Sequence, residues 1–138
     1  MQRMKNNCIF CAIADGEIPS FKIYEDEESI AYLDINPFTK GHALVIPKVH
    51  STGLLDTPDA SLAGMMSRVK KVAAHLKNAL PCDGFNILQN NGESAGQTVM
   101  HLHFHIVPRY GNGEISFVGR KGDMAELEKL AARIRMDA

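Results

Sequence analysis

Residues 101–109 read HLHFHIVPR, and this stretch leaves the chain little freedom. Side chains of a strand alternate between its two faces. His101, His103 and His105 therefore share one face, while Leu102, Phe104 and Ile106 share the other. The spacing predicts a strand over 98–108 with a core side and a chemical side. Three of the six histidines lie on it, so the rest of the sequence is read toward that face.

His101 and His105 would stand about 13 Å apart along a straight strand. Zinc takes imidazole nitrogens at about 2.0–2.1 Å. Two neighbouring histidines meet one metal easily, whereas three would have to lean hard. A row of imidazoles also suits an extended anionic group, because each ring can act near neutral pH as nucleophile, general base, general acid or hydrogen-bond donor. The preceding loop, NGESAGQ, supports the anion. Asn90, Gly92, Gly96, Gln97 and Thr98 offer backbone N–H groups, amides and a hydroxyl, a composition that cradles phosphate without Lys or Arg.

The surroundings read as one domain, a core over about 8–110 with an extension over 111–138. Residues 8–14 suit a short helix. FKIYED (21–26) and SIAYLDI (29–35) form a hairpin, and HALVIPK (42–48) is a buried strand. A long helix is expected over 58–80, with Thr57 as cap and Pro58 at its first helical position. Its apolar face is Leu62, Met65, Met66, Val69, Val72, Ala73, Leu76 and Leu80. FNILQN (85–90) is a further strand. A last helix begins at Asp123 with Glu126 three residues on, a capping-box pattern, and carries Met124, Leu127, Leu130, Ala131 and Ile134 on one face. The order predicts an α+β fold with a largely antiparallel sheet.

With 45% hydrophobic residues among 138, a packed core is expected, and a net charge of −1 disfavours a broad nucleic-acid-binding surface. No apolar segment reaches membrane-spanning length, and MQRMKNN lacks a leader's apolar stretch. A cytoplasmic protein with no membrane partner is expected. Cys8 and Cys11 form C-x-x-C, which in a reducing compartment means metal or redox chemistry rather than a structural disulfide. Cys82 reads as a small residue in a turn.

HLHFHIV resembles the motif of the histidine triad (HIT) family of nucleotide hydrolases and transferases. CIFCAIADGEIPS, AYLDINPFTKGHALVIPKVH and NNGESAGQTVMHLHFHIVPR are similar, in the same order, to blocks of its Hint-like branch. The resemblance implies about five antiparallel strands with a long helix and a short N-terminal helix, and a homodimer whose long helices meet. It implies that His103 attacks the α-phosphorus of a purine nucleotide conjugate of AMP or GMP type. A covalent nucleotidyl-histidine forms, and water then releases the nucleoside monophosphate. For that attack one ring nitrogen must be bare, the other donating to a backbone carbonyl. His105 would assist the leaving group and His42 would line the phosphate site. Asn90, Gly96, Gln97 and Thr98 would contact the phosphate and leaving group, and Asp34 the ribose hydroxyls. Ile9, Phe10, Ile13, Tyr32 and Ile35 would hold the base.

The resemblance also implies a structural zinc on Cys8, Cys11, His50 and His101, with no metal required for the chemistry. Without zinc, His50 and His101 would form a hydrogen-bonded relay behind His103. Nucleoside phosphoramidates or adenylates are the expected substrates, with dinucleoside polyphosphates as the alternative. Two other classes stay open: a nucleotide-binding regulatory or adaptor protein, and a hydrolase with catalytic metal on the triad. The C-terminal segment departs from the short tail of Hint-like proteins and looks like that of bacterial relatives.

Overall fold

A computed structural model describes residues 7–111, 115 and 117–137. The leader reading of residues 1–6 lies outside the described residues. The elements are α1 (Ile9–Ala14), β1 (Lys22–Glu25), β2 (Ser29–Leu33), β3 (Ala43–Pro47), α2 (Asp59–Ala79), β4 (Gly84–Leu88), β5 (Phe104–Arg109) and α3 (Met124–Ile134). The strands form one sheet in the order β1-β2-β3-β5-β4, each pair antiparallel.

The middle strand, β3, is apolar throughout and buried on both faces. Ala43 and Val45 join Phe104, Ile106 and the Met65, Val69, Val72, Ala73 and Leu76 stripe of α2 in one core. Leu44 and Ile46 face the other way and pack with Ile30, Tyr32 and the Phe10 and Cys11 side chains of α1. One face of the sheet thus carries the long helix. Among the described residues the other carries the short α1, and the histidines lie on that lightly covered side. Across the turn after β1, Arg68 of α2 holds Asp26 at 2.6 Å and Glu28 at 3.2 Å, tying the helix to the hairpin.

Three expectations need correction. The strand expected over 98–108 begins only at Phe104. Its partner β3 ends at Pro47, which has no N–H to give, and whose carbonyl is taken by the His101 side chain at 2.8 Å. Leu102 instead donates its N–H to the Ser51 carbonyl at 2.8 Å. Thr57 does not cap α2, because its hydroxyl donates to the Gly53 carbonyl at 2.6 Å; Pro58 is the cap residue and makes no side-chain cap bond. Met66 lies outside the core and is 46% exposed. The apolar face of α3 is exposed along its whole length, although Asp123 caps the helix through Ala125 N–H and Glu126 N–H.

Candidate functional site

A cavity of about 360 Å³ opens on the α1 side of the sheet, within the range of small-ligand pockets. Ile9, Phe10 and Ile13 of α1 form one wall, and Tyr32, Asp34 and Ile35 at the end of β2 form another. Thr98, His103 and His105 close its floor. These nine were all expected at a site from the sequence. Leu44, Val99, Phe21 and Asn36 also line it; they were missed because each reads as ordinary core, strand or turn.

The hydrogen bonds fix the tautomers of the imidazole row. His103 Nδ1 lies 2.7 Å from the His101 carbonyl, which can only accept. The proton is therefore on Nδ1, and His103 Nε2 is a bare lone pair. Phe38 N–H donates to His42 Nδ1 at 2.9 Å, so the His42 proton is on Nε2. That proton points to His105 Nδ1 at 2.9 Å. His105 must then carry its own proton on Nε2. One ring thus offers an electron pair while the other offers a proton, with ring centroids 5.0 Å apart. Gly41, at φ 89°, makes the turn that delivers His42 to this pair.

Burial keeps the row uncharged. It pushes His105 down to about 4; His103 and His42 add to the shift and Asp34 opposes it. It lowers His103 against the opposing pull of the bond to His101 and of Asp34, and it lowers His42 likewise. Asp34 accepts the Asn36 N–H at 2.8 Å through one oxygen. Its other oxygen stands 3.6 Å from His42 Nε2.

The loop before the triad is organised differently from the expected cradle. Gln97 is buried, and its amide is spent on the loop itself, accepting from Gly92 N–H at 2.8 Å and donating to the carbonyls of Thr52 (2.7 Å) and Val99 (3.0 Å). The N–H of Gly96 bonds the Glu93 carbonyl. Asn90 and Gly96 do not line the cavity; of the expected polar loop residues, Thr98 does.

Beneath the cavity, Cys8, Cys11, His50 and His101 converge, their ligand atoms all within 4.8 Å of one another. His101 Nδ1 lies 3.3 Å from Cys8 Sγ, 3.5 Å from Cys11 Sγ and 3.2 Å from His50 Nδ1. Metal–ligand bonds of about 2.0–2.1 Å for nitrogen and 2.3 Å for sulfur give tetrahedral N–N and N–S edges of about 3.3–3.6 Å, which these separations match. The donor set fits as well. His101 donates Nε2–H to the Pro47 carbonyl, leaving Nδ1 bare toward the cysteines, and Cys8 Sγ accepts the Cys11 N–H. Asp34, His42 and His105 also cluster, but there His42 Nε2 must keep its proton and cannot ligate.

Tyr32 is 4% exposed, and its hydroxyl has no hydrogen-bond partner among the described residues. A buried hydroxyl without a partner costs about 1–3 kcal/mol. Tyr32→Phe keeps the edge-on contact with Phe10 at 6.1 Å and removes that cost. The variant is expected to melt a few degrees higher, by about 1 kcal/mol of stability. A lower melting temperature in a calorimetric scan would show the hydroxyl to be bonded.

Comparison with known proteins agrees with this architecture. The HIT domain family model matches residues 15–112. An adenosine 5′-monophosphoramidase of Saccharomyces cerevisiae is 44% identical over 123 residues, 89% of this chain and 75% of that protein. A crystal structure of a Streptococcus mutans protein superposes with a TM-score of 0.89 at 45% identity, covering 98% of this chain and 87% of that one. A zinc-bound histidine triad protein of Mycobacterium smegmatis superposes at 0.76 with 42% identity, covering 93% and 98%. With its histidine motif on the open face of a five-stranded antiparallel sheet, the chain belongs to the HIT family.

Proposed function

We propose that this protein hydrolyses purine nucleotide conjugates at the α-phosphorus through a covalent nucleotidyl-histidine on His103. The observation that carries this reading is the tautomer pattern: a bare Nε2 on His103 beside an Nε2–H on His105. The base lies against Phe10 and its neighbours, the ribose hydroxyls donate to Asp34, and the phosphate lies over the triad beside Thr98. His103 Nε2 attacks phosphorus as the bond to the leaving group breaks, and His105 Nε2–H supplies the proton to the departing atom. Water then attacks phosphorus and returns a proton to His105 Nε2, the P–N bond to His103 breaks, and the nucleoside monophosphate leaves. Splitting one difficult displacement into two easier ones is the general advantage of a covalent intermediate.

Nucleoside phosphoramidates are the favoured substrate class. The Saccharomyces cerevisiae relative carries that activity in its name, and an Arabidopsis thaliana relative is an adenylylsulfatase. Adenosine 5′-phosphoramidate is expected to yield AMP and ammonia, with an AMP adduct trapped on the chain in acid-free quench. Faster release from diadenosine tetraphosphate would move the assignment to dinucleoside polyphosphates. Binding without release from either would favour a regulatory nucleotide-binding role. Both hydrogen bonds of the row require neutral rings. Burial lowers all three rings of the row, so activity is expected to persist as the pH falls through 6.5, the ordinary imidazole value. An acid limb centred at 6.5 would contradict this.

Cys8, Cys11, His50 and His101 are assigned to a structural zinc, which supplies cohesion rather than chemistry. A C-x-x-C read as half of a metal site suits a reducing compartment, and we place the protein in the cytoplasm. Met66, Phe85 and Ile87 form an apolar groove between α2 and the edge strand β4, assigned to a homodimer contact. A monomeric mass by light scattering would overturn that assignment.

A further inference from the structure

We propose that the cavity between the end of β3 and the first turns of α2 is the route by which a divalent metal ion reaches and leaves the Cys8, Cys11, His50 and His101 site, with His50 as the one ligand that opens. This rests on the zinc assignment above and adds to it a path and a gate.

The four ligands are not held alike. Cys8, Cys11 and His101 are buried, whereas His50 is half-buried. Cys8 and Cys11 belong to the cap and first turn of α1. The His101 ring is fixed at both nitrogens, Nε2–H donating to the Pro47 carbonyl at 2.8 Å while Nδ1 faces the sulfurs. His50 lies outside any helix or strand, in the segment after β3. Its Nδ1 stands 3.3 Å from Cys11 Sγ and 3.2 Å from His101 Nδ1, and its Nε2 has no hydrogen-bond partner among the described residues. A ligating imidazole is normally anchored through its second nitrogen, and loss of such an anchor costs about 10- to 100-fold in metal affinity. His50 is the histidine of the set without one.

His50 also has room to move. Alone among the four ligands it lines a cavity of about 460 Å³ bounded by Glu28, Val49, Asp56, Ser61 and Arg68, space enough for a small metal carrier. The rim favours a cation. Arg68 is already answered by Asp26 and Glu28. Asp56 accepts the Thr52 and Gly53 N–H groups, which hold its carboxyl below the usual carboxylate range. Three carboxylates against one guanidinium leave the mouth negative. His50 and Cys8 also line a second cavity, but its Ile9, Thr98 and Val99 walls are shared with the nucleotide cavity; the first route is independent of bound substrate. With His50 turned aside, Cys8, Cys11 and His101 keep three bonds and the fourth position is open to an incoming or departing donor.

The test follows zinc transfer from the holoprotein to excess pyridylazoresorcinol, a chromogenic chelator. His50→Gly is expected to release zinc at least about tenfold faster than wild type. Imidazole at millimolar concentration should slow that release again and return the visible spectrum of the cobalt-exchanged variant to the wild-type form, because free imidazole can enter a fourth position that opens to solvent. Ser61→Trp, which keeps all four ligands and fills the cavity, is expected to slow release severalfold, and it serves if His50→Gly fails to hold metal. Release from His50→Gly at the wild-type rate, no response of that variant to imidazole, or release from Ser61→Trp as fast as from wild type overturns the route. Wild type that purifies without zinc overturns the metal assignment instead, and the route with it.

Discussion

His103→Ala is expected to abolish the nucleotidyl adduct and to lower AMP release from adenosine 5′-phosphoramidate by at least about a thousandfold, or roughly 4 kcal/mol of transition-state stabilisation. The reason is that no other nitrogen of the row offers a lone pair at that place. His105 Nδ1 is taken by His42, and His42 Nδ1 by the Phe38 N–H. His101 Nδ1 faces the cysteine cluster. Water could still attack phosphorus directly with His105 as proton donor, so some residual release is compatible with the mechanism, but an adduct is not. His103 sits within the row at 5 % exposure, and alanine leaves a cavity there. Its folding should be checked by circular dichroism, and AMP binding should persist. Equal release by variant and wild type would eliminate the covalent route. Loss of wild-type turnover and adduct in chelator, in protein whose Cys8, Cys11, His50 and His101 site still holds its metal, would instead place a catalytic metal on the triad.

The alternation HLHFHIV was sufficient to put Phe104 and Ile106 in the core with α2 and the histidines on the opposite face, because period-two geometry is local. The sequence could not show where strand pairing stops. That depends on Pro47, fifty-four residues from His101, whose carbonyl meets an imidazole rather than a backbone N–H. Gln97 illustrates a second limit. A polar residue in a glycine-rich loop reads equally well as a ligand contact or as a staple, and only the three bonds of its buried amide distinguish them. Phe38 was passed over because an aromatic residue in a Pro- and Gly-bounded loop has no periodicity to read. Its position over His42 and His105 is a product of tertiary structure. The cysteine–histidine cluster was legible only in part. C-x-x-C signals a half-site, whereas His50 and His101 came from the family resemblance, and their approach to 3.2 Å is made by the fold.

Removing zinc, or replacing Cys11 with serine, is expected to lower the melting temperature by well over ten degrees, and this is the largest stability effect foreseen for any change away from the triad. Structural zinc in small sites contributes on the order of 10 kcal/mol of apparent binding free energy, and α1 has little else to hold it. It is six residues long, buries Phe10, Cys11 and Ala12, and takes its cap from Cys8 itself. The effect should extend into the cavity. Phe10 lies between the two cysteines in sequence and packs edge-on against both His101 and His103, at 5.9 and 5.0 Å. The carbonyl that orients the nucleophile belongs to His101, one of the four metal-cluster residues. Metal loss is therefore expected to weaken nucleotide binding as well as stability, while AMP release at saturating substrate falls less than in His103→Ala. The protein as isolated should hold about one zinc per chain by elemental analysis, and cobalt exchange should give thiolate-to-metal charge-transfer absorption that Cys11→Ser diminishes. A chain that purifies without metal, or melts at the same temperature in chelator, would leave Cys8 and Cys11 as two buried thiols and return His50 and His101 to a hydrogen-bonded relay behind the nucleophile.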